Sequence, residues 1–279
     1  MATVAELVAE GAATLPVRSG IPDPRREARW LLAAALGVAE LALSTDPDRL
    51  VPAAAETTFR EWLARRAAGE PAEHLVGRCR FWGRWFEVTP AVLVPRPETE
   101  LLVEVALALP VGRQARVLDV GAGSGCLAAT LALERPGWRV VAVDRSPAAL
   151  AVARRNLAAL GAAVGLVLGD LASACGPPFD LVVANLPYVK TADLAALPLE
   201  VRHDPVGALD GGADGLDLLR RLLADLPRLL RPCGGAVLEL GEDQAEAVAE
   251  LGRSRRLAVA RRVRDVAGVE RVVVLQPTG

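Results

Sequence analysis

Residues 115–133 read ARVLDVGAGSGCLAATLAL, in which a short apolar strand ends in a glycine-rich turn that leads into a helix. The same alternation of strand and helix continues to the end of the chain. Six further strand-like runs follow, namely WRVVAVD, VGLVLGD, FDLVVAN, GGAVLEL, LAVARRV and VERVVVL. Buried Val and Leu runs that alternate with amphipathic helices predict an α/β fold with a doubly wound, mostly parallel sheet of seven strands. The last two strands are joined by only residues 265–268, a link that suits a hairpin, so we expect an antiparallel final strand.

The first third of the chain has a different pattern. Residues 1–75 show Ala, Leu and charged residues at helical spacing and no strand-like run, which predicts a small all-helical domain for partner recognition. Residues 76–98 contain two aromatic-rich runs around Gly83, and we expect a β-hairpin linker there. Residues 99–279 then form the α/β domain, whose first helix Thr99 or Glu98 is expected to cap.

Composition and charge exclude several classes of protein. The chain has 279 residues, 52% of them hydrophobic, and a formal net charge of −2, which indicates a packed globular protein without a global basic field for nucleic acid. Its four cysteines are scattered and form no CxxC pair, so we predict neither a metal site nor disulfides. The N-terminus lacks the basic segment of a signal peptide, and no apolar run is long enough to span a bilayer. We expect a cytoplasmic protein, monomeric, without membrane contact or stable nucleic-acid binding.

The glycine-rich turn is the first candidate binding site. Glycines allow a backbone to turn tightly and to approach a ligand at the carboxyl edge of a parallel sheet. The spacing is G-x-G-x-G, and Cys126 stands where the dinucleotide pattern has its third glycine. A tight turn without any ligand is the alternative. The predicted cofactor-binding residues of this segment are Asp119, Gly121, Ala122, Gly123, Ser124 and Gly125.

Acidic residues end the first three strands of the predicted sheet. Asp119 precedes the turn and suits a cationic ammonium group, whereas Asp144 can accept hydrogen bonds from both hydroxyls of a ribose. Asp170 can accept an exocyclic adenine amine, with Leu171 against the ring. Each acid alone could cap a helix. Together they fit S-adenosyl-L-methionine, whose product is S-adenosyl-L-homocysteine.

The fourth strand of the α/β domain ends in Asn185-Leu186-Pro187-Tyr188. The side-chain carbonyl of Asn185 and the backbone carbonyl of Leu186 can accept both hydrogens of a planar NH₂ group. Pro187 holds Leu186 in an extended conformation, and Tyr188 offers a flat face for stacking. Such a site would act through positioning and electrostatics. The alternative is a β-turn in which Asn185 bonds its own backbone.

These motifs resemble those of class I S-adenosylmethionine-dependent N-methyltransferases. The whole chain resembles the HemK/PrmC family, which methylates the glutamine of the Gly-Gly-Gln motif in class I peptide chain release factors. The resemblance is carried by GEPAEHLVG, FWGRWFEVTPAVLVPRPETE, LDVGAGSGCLA, VDRSPAALAVARRN, LPLEVRHDPVGALDGGADGLD, LELGEDQ and RDVAGVERVV. It implies that Gly121 to Gly125, Asp144, Asp170-Leu171 and Asn185 hold the cofactor. It also implies that Asn185, Leu186, Pro187 and Tyr188 are the catalytic residues and bind the substrate glutamine.

Two residues depart from the family pattern. Leu186 stands where the family has proline, and Leu171 where it often has an aromatic residue. The motif N-L-P-Y also resembles that of ribosomal-RNA adenine dimethyltransferases. Two alternatives therefore stand beside a release factor methyltransferase: an adenine-N6 methyltransferase acting on RNA or DNA, and a non-catalytic translation-factor binder that keeps the fold.

Overall fold

Local signals in the sequence set the ends of the amino-terminal helices. Thr3 and Glu6 form a capping box at the start of the first helix, and Asp23 caps the second. Gly37 ends the second helix with a φ of 67°, a left-handed conformation that glycine adopts without steric cost. In the part of this region that the structure describes, the helices are α1 (Val4–Thr14), α2 (Pro24–Leu36), α3 (Glu40–Thr45), α4 (Ala53–Ala67) and α5 (Ala72–Val76).

The computed structural model describes residues 1–17, 21–176 and 178–278, which form two compact units. The helical unit comprises residues 1–78 together with residues 196–203, a short segment from far along the chain. Its core is aliphatic, with Phe59 fully buried among the helices. The buried Arg66 joins the segment to the helices through ion pairs with Glu27 and Glu200. The sequence pattern gave no indication that residues 196–203 belong to this unit.

The second unit comprises residues 79–195 and 204–279. Strands β1 (Arg78–Phe81) and β2 (Arg84–Glu87) pair as the predicted hairpin. The remaining helices are α6 (Pro97–Ala108), α7 (Cys126–Glu134), α8 (Pro147–Leu160), α9 (Asp217–Leu229) and α10 (Ala245–Ser254). The strands of the large sheet are β3 (Arg116–Val120), β4 (Arg139–Asp144), β5 (Val164–Leu168), β6 (Phe179–Ala184), β7 (Leu230–Glu239), β8 (Leu257–Arg264) and β9 (Glu270–Pro277).

The sheet confirms the predicted fold class. Its seven strands follow the order β5-β4-β3-β6-β7-β9-β8, and β3 pairs in parallel with both β4 and β6. Strand β9 runs antiparallel to β7 and to β8, as the short link between the last two strands predicted. Because the order reverses at β3 and β6, their carboxyl ends open a crevice at which such folds bind ligands.

Helices cover both faces of the sheet and contact it through apolar side chains. Helix α9 is the clearest case, since its leucines at positions 219, 222, 223, 226 and 229 recur at helical spacing and are all buried. Among the described residues, no helix combines the length and the apolar character needed to cross a bilayer.

Helix α6 departs from the prediction. It begins at Pro97, and its N-cap residue Arg96 makes no side-chain capping bond. Proline suits this first position because the free N–H that it lacks would have no partner in the helix. The expected capping by Thr99 or Glu98 is therefore wrong: Thr99 lies inside the first turn, and it is buried.

Candidate active site at the carboxyl edge of the sheet

A cavity of about 310 Å³ lies where β3, β4 and β6 end. Its volume falls at the lower end of the range of small-molecule sites. The predicted site residues that line it are Gly121, Ala122, Gly123, Ser124, Asp144, Asp170, Leu171, Asn185, Leu186 and Pro187. Asp119, Gly125 and Tyr188 are not among the residues that line it.

The glycine-rich turn is pinned against the neighbouring strand. Gly121 and Ala122 donate backbone hydrogen bonds to the carbonyl of Val143, at 2.9 and 3.0 Å. Gly121 has a φ of 88°, and a Cβ placed there would lie 3.2 Å from Leu186 Cδ2. Gly125 has a φ of 80°, and a Cβ there would lie 3.1 Å from the Cβ of Ala153 in α8. These two glycines therefore permit both the turn and its close packing.

Asp144 links the turn to the end of β4. Its Oδ2 accepts from Gly123 N at 2.9 Å, and its Oδ1 accepts from Ser146 N at 2.8 Å. The cap of the following helix is Ser146, which accepts from Ala149 N. Asp144 is therefore not that cap, and its carboxylate keeps lone pairs for two further donors. This arrangement suits a pair of ribose hydroxyls.

Asp170 and Leu171 form the far wall of the cavity. The Asp170 carboxylate pairs with Arg221 and remains half exposed, while Leu171 is buried. Leu171 has a φ of 49°, a conformation that is uncommon for residues other than glycine. Such strain persists where the surrounding structure enforces it, often at a ligand site.

Asp119 lies beneath the turn and is completely buried. One carboxyl oxygen accepts from Ala128 N at 3.2 Å, and the other has no hydrogen-bond partner. Burial and, to a smaller extent, the charge of Asp144 raise the pKa of Asp119 to about 8, against the opposing effect of the Ala128 hydrogen bond. Asp119 does not line the cavity, but its unpartnered oxygen is a buried acceptor close to the charge of Asp144, an arrangement that suits a cation.

Replacing Asp119 with asparagine is expected to raise the thermal stability at pH 8 and to weaken cofactor binding. Because its pKa rises from 3.8 to about 8 on folding, the native state holds an extra proton between these values. Native stability therefore declines as pH rises through this interval, and the asparagine variant escapes the decline. At pH 8 and without cofactor, the variant should therefore have a higher midpoint temperature of thermal unfolding than the native protein.

Above about pH 8, where Asp119 is ionised, the same variant should bind the predicted cofactor S-adenosyl-L-methionine more weakly, because it lacks that negative charge. Calorimetric titration measures that affinity, and the exposed Asp193→Asn serves as the matched control. A variant that is less stable at pH 8 and binds the cofactor normally would contradict the assignment of Asp119.

Asn185 is fixed by a residue from another part of the chain. Its Nδ2 donates to Oγ1 of Thr99 at 2.9 Å, across 86 residues of sequence. Among the described residues this is the side-chain hydrogen bond found for Asn185, and none joins it to its own backbone, as the β-turn alternative requires. Because Asn185 and Thr99 both line the cavity, the bond holds the asparagine at its wall.

The rest of the motif is held by the loop after β7. Gln244 Nε2 donates to the carbonyl of Tyr188 at 3.1 Å, while its Oε1 accepts from Gly241 N. Burial raises the pKa of Tyr188 to about 12, so its hydroxyl stays neutral at working pH. Leu186 is buried against the glycine-rich turn, where its larger side chain replaces the family's proline.

Two wall segments were not predicted from the sequence. Residues 91–96 lie before α6 and residues 205–208 lie between β6 and α9, and both contribute to the lining. Asp204 joins them, since it accepts from Val94 N at 3.1 Å and pairs with Arg96. The paired prolines Pro95 and Pro97 were a signal that residues 91–96 follow a fixed path, but they carry no sign of a ligand.

Two family models and several named relatives match this chain. Residues 6–77 match the family described as PrmC N-terminal domain, and residues 97–198 match the methyltransferase small domain. A release factor glutamine methyltransferase of Geobacter sulfurreducens is 43% identical over 91% of this chain and 90% of its own length. The protein of that name from Cereibacter sphaeroides is 46% identical over 91% and 92%.

A solved structure of similar fold is a methyltransferase from Pyrococcus furiosus. It has a TM-score of 0.55 and 20% sequence identity, and the match covers 71% of this chain and 91% of the other. At this identity the likeness supports the fold alone.

Proposed function

The chain belongs to the release factor glutamine methyltransferase family, and on that premise we propose that it methylates the side-chain amide nitrogen N5 of a glutamine in class I peptide chain release factors. The glutamine is that of the Gly-Gly-Gln motif, and S-adenosyl-L-methionine is the methyl donor. The enzyme would thereby modulate translation termination. Its cytoplasmic location and monomeric state remain predictions.

One observation carries this proposal. Asn185, Leu186 and Pro187 line the same cavity as the glycine-rich turn and Asp144. The residues proposed to bind the substrate amide and those proposed to bind the nucleoside of the cofactor thus line one cavity. This sharing is what a direct transfer between the two ligands requires.

The cofactor would be held along the ends of three strands. Asp119 supports the ammonium end from beneath the turn, Asp144 accepts from the ribose hydroxyls, and Asp170 with Leu171 receives the adenine. The unpartnered carboxyl oxygen of Asp119 supports this fit, because it is a buried acceptor that an ammonium donor can satisfy. When bound, S-adenosyl-L-methionine supplies an electrophilic methyl group on a sulfonium.

The protein's own task is to orient an unreactive nitrogen. An amide lone pair is delocalised into its carbonyl, so the nitrogen attacks only when it is aimed and partly freed. Asn185 Oδ1 and the Leu186 carbonyl accept its two hydrogens and bias the nitrogen toward a pyramidal shape. Pro187 keeps both acceptors in place, and burial in the cavity strengthens these hydrogen bonds.

The Cys126 thiol and the Tyr188 hydroxyl are held in their neutral forms. Burial raises the pKa of the Cys126 thiol and of the Tyr188 hydroxyl to about 12 each. Neither is a nucleophile or a base near pH 8. The rate should therefore depend on hydrogen-bond geometry at Asn185.

Methyl transfer from labelled S-adenosyl-L-methionine tests the proposal. We expect label in purified class I release factor, and none when its Gly-Gly-Gln glutamine is changed to alanine. Mass spectrometry of the labelled peptide should locate the methyl group on the glutamine side chain.

A structured RNA offered in parallel distinguishes the alternatives. Label in the RNA, lost at high salt as binding weakens, would identify an adenine methyltransferase. Binding of release factor without cofactor binding or label would identify the non-catalytic binder. Either result would overturn the proposed function.

A further inference from the structure

Glu239 is an acid at an unexpected place, the last residue of a strand whose neighbours are buried and apolar. Its side chain is 1% exposed, and one carboxyl oxygen, Oε2, has no hydrogen-bond partner. Strands β6 and β7 pair in parallel with Ala184 opposite Leu238, so the next residues, Asn185 and Glu239, lie on neighbouring strands. Thr99 and Asn185 both lower the pKa of the Glu239 carboxyl, as hydrogen-bonding groups beside it do. A buried acid is costly unless its contacts require it, and these contacts join it to the site.

We propose that Glu239 is a positioning residue that orients the Asn185 carboxamide through Thr99. The inference rests on the proposed function, in which Asn185 Oδ1 accepts a hydrogen of the substrate amide. Glu239 does not line the cavity, so it acts on the substrate only through these two side chains.

The donors and acceptors of Glu239, Thr99 and Asn185 determine how the Asn185 carboxamide is oriented. An ionised carboxylate can only accept, whereas a hydroxyl and a carboxamide each contain a donor and an acceptor. Asn185 Nδ2 donates to Thr99 Oγ1 at 2.9 Å, so the Thr99 hydroxyl hydrogen is free to point at the carboxylate. Because the ionised Glu239 carboxylate can only accept hydrogen bonds, the Asn185 NH₂ must face Thr99 and Glu239. Its Oδ1 is then left for the cavity.

The loop that follows Glu239 supports the same motif at a second point. Gln244 holds the Tyr188 carbonyl, and a Cβ on Gly241 would lie 3.0 Å from Tyr188 Cδ2. Residues 239–244 thus support both Asn185 and Tyr188 from behind the cavity. The LELGEDQ stretch therefore contains the residues that support Asn185 and Tyr188.

The orientation should depend on pH. Burial and, to a smaller extent, Glu98 of α6 raise the pKa of Glu239 to about 7, while Thr99 and Arg271 of β9 oppose the shift. Tyr188 is the other titratable group coupled to it, and its hydroxyl stays neutral. Below pH 7 the carboxyl gains a proton and can donate, so it no longer enforces one orientation. The rate at saturating substrate should therefore fall on the acid side of about pH 7.

Glu239→Gln tests the inference, with the exposed Glu242→Gln as its matched control. Glutamine keeps the size of the side chain and adds a donor, so Asn185 can turn its amide. At pH 8 we expect kcat to fall about 30-fold, with KM for release factor within about threefold of the native value. The acid limb near pH 7 should disappear in Glu239→Gln and persist in Glu242→Gln. Affinity for S-adenosyl-L-methionine, measured by calorimetry, should change by no more than about twofold.

A second variant keeps the test decisive if Glu239→Gln fails to fold. Thr99→Val retains the shape of Thr99 and removes the hydroxyl that joins Asn185 to Glu239, so kcat should fall by about tenfold or more. Native kcat in Thr99→Val, or a native kcat and acid limb in Glu239→Gln, would overturn the inference. A native enzyme that labels no glutamine would instead overturn the proposed function, and so the two failures are distinguishable.

Discussion

Asn185→Ala is expected to lower kcat/KM for release factor by about 100- to 1000-fold, the usual effect of losing one preorganised hydrogen-bonding group at a reacting centre. The variant removes the side-chain acceptor for the substrate amide and leaves the Leu186 carbonyl in place. Its unfolding free energy should fall by only about 1 kcal/mol, since the residue is half-buried and loses one hydrogen bond to Thr99. Initial rates with labelled cofactor, together with thermal unfolding, measure both effects.

Asn185→Asp is the sharper companion, because it keeps the size of the side chain. An ionised Asp at this position cannot donate to Thr99, and it faces the Glu239 carboxyl, so the two acids compete for one proton. Its activity should be low at pH 8 and should increase as pH falls, opposite to the acid limb of the native enzyme. Native rates in the alanine variant would remove Asn185 from the catalytic residues.

The strand-end acids and the glycine-rich turn could be predicted because topology brings them together. Parallel strands point their carboxyl ends to one edge, so Asp144, Asp170 and Asn185 converge whatever the details of side-chain packing. The strand runs alone therefore indicated the position of the cavity. The same reasoning placed Asp119 at this edge, but it could not show that the side chain turns beneath the loop.

Thr99, Asp204 and Glu239 could not be predicted in the same way. Each acts through a partner roughly fifty to more than one hundred positions away, and hydrophobic periodicity does not encode such pairings. Thr99 illustrates the difficulty, since its position before a helical run favoured a capping role. Glu239 carried the one usable signal, an acid within the apolar run AVLEL, where burial requires a partner.

Leu186 and Leu171 show how this chain accommodates its departures from the family pattern. Leu186 is buried, and its Cδ2 packs close to Gly121, so the side chain fills space beside the turn. Pro187 still follows it and restricts its backbone, which preserves the direction of its carbonyl. Leu171, the proposed adenine contact, is aliphatic, and its backbone has a left-handed conformation with a φ of 49°.

Asp204→Ala is expected to have the largest effect on stability, about 3 kcal/mol of unfolding free energy. The Asp204 side chain is 0% exposed, and its two oxygens bind Arg96 and the Val94 N–H. Its loss leaves Arg96, which is only 30% exposed, without this carboxylate, and leaves a buried N–H without an acceptor. The cost should be large because both groups have little access to water. Urea unfolding followed by circular dichroism measures the change.

Asp214→Ala is the matched control, because Asp214 also pairs with an arginine, Arg220, but is 52% exposed. An exposed pair is screened by solvent, so this variant should unfold at the native midpoint. The two variants should also differ in cofactor affinity. Asp204 joins residues 91–96 to residues 205–208, two walls of the cavity, so its loss should weaken S-adenosyl-L-methionine binding as well. Equal midpoints for the two variants would show that the buried pair contributes nothing to the fold, and an unchanged affinity in Asp204→Ala would show that the walls keep their positions without it.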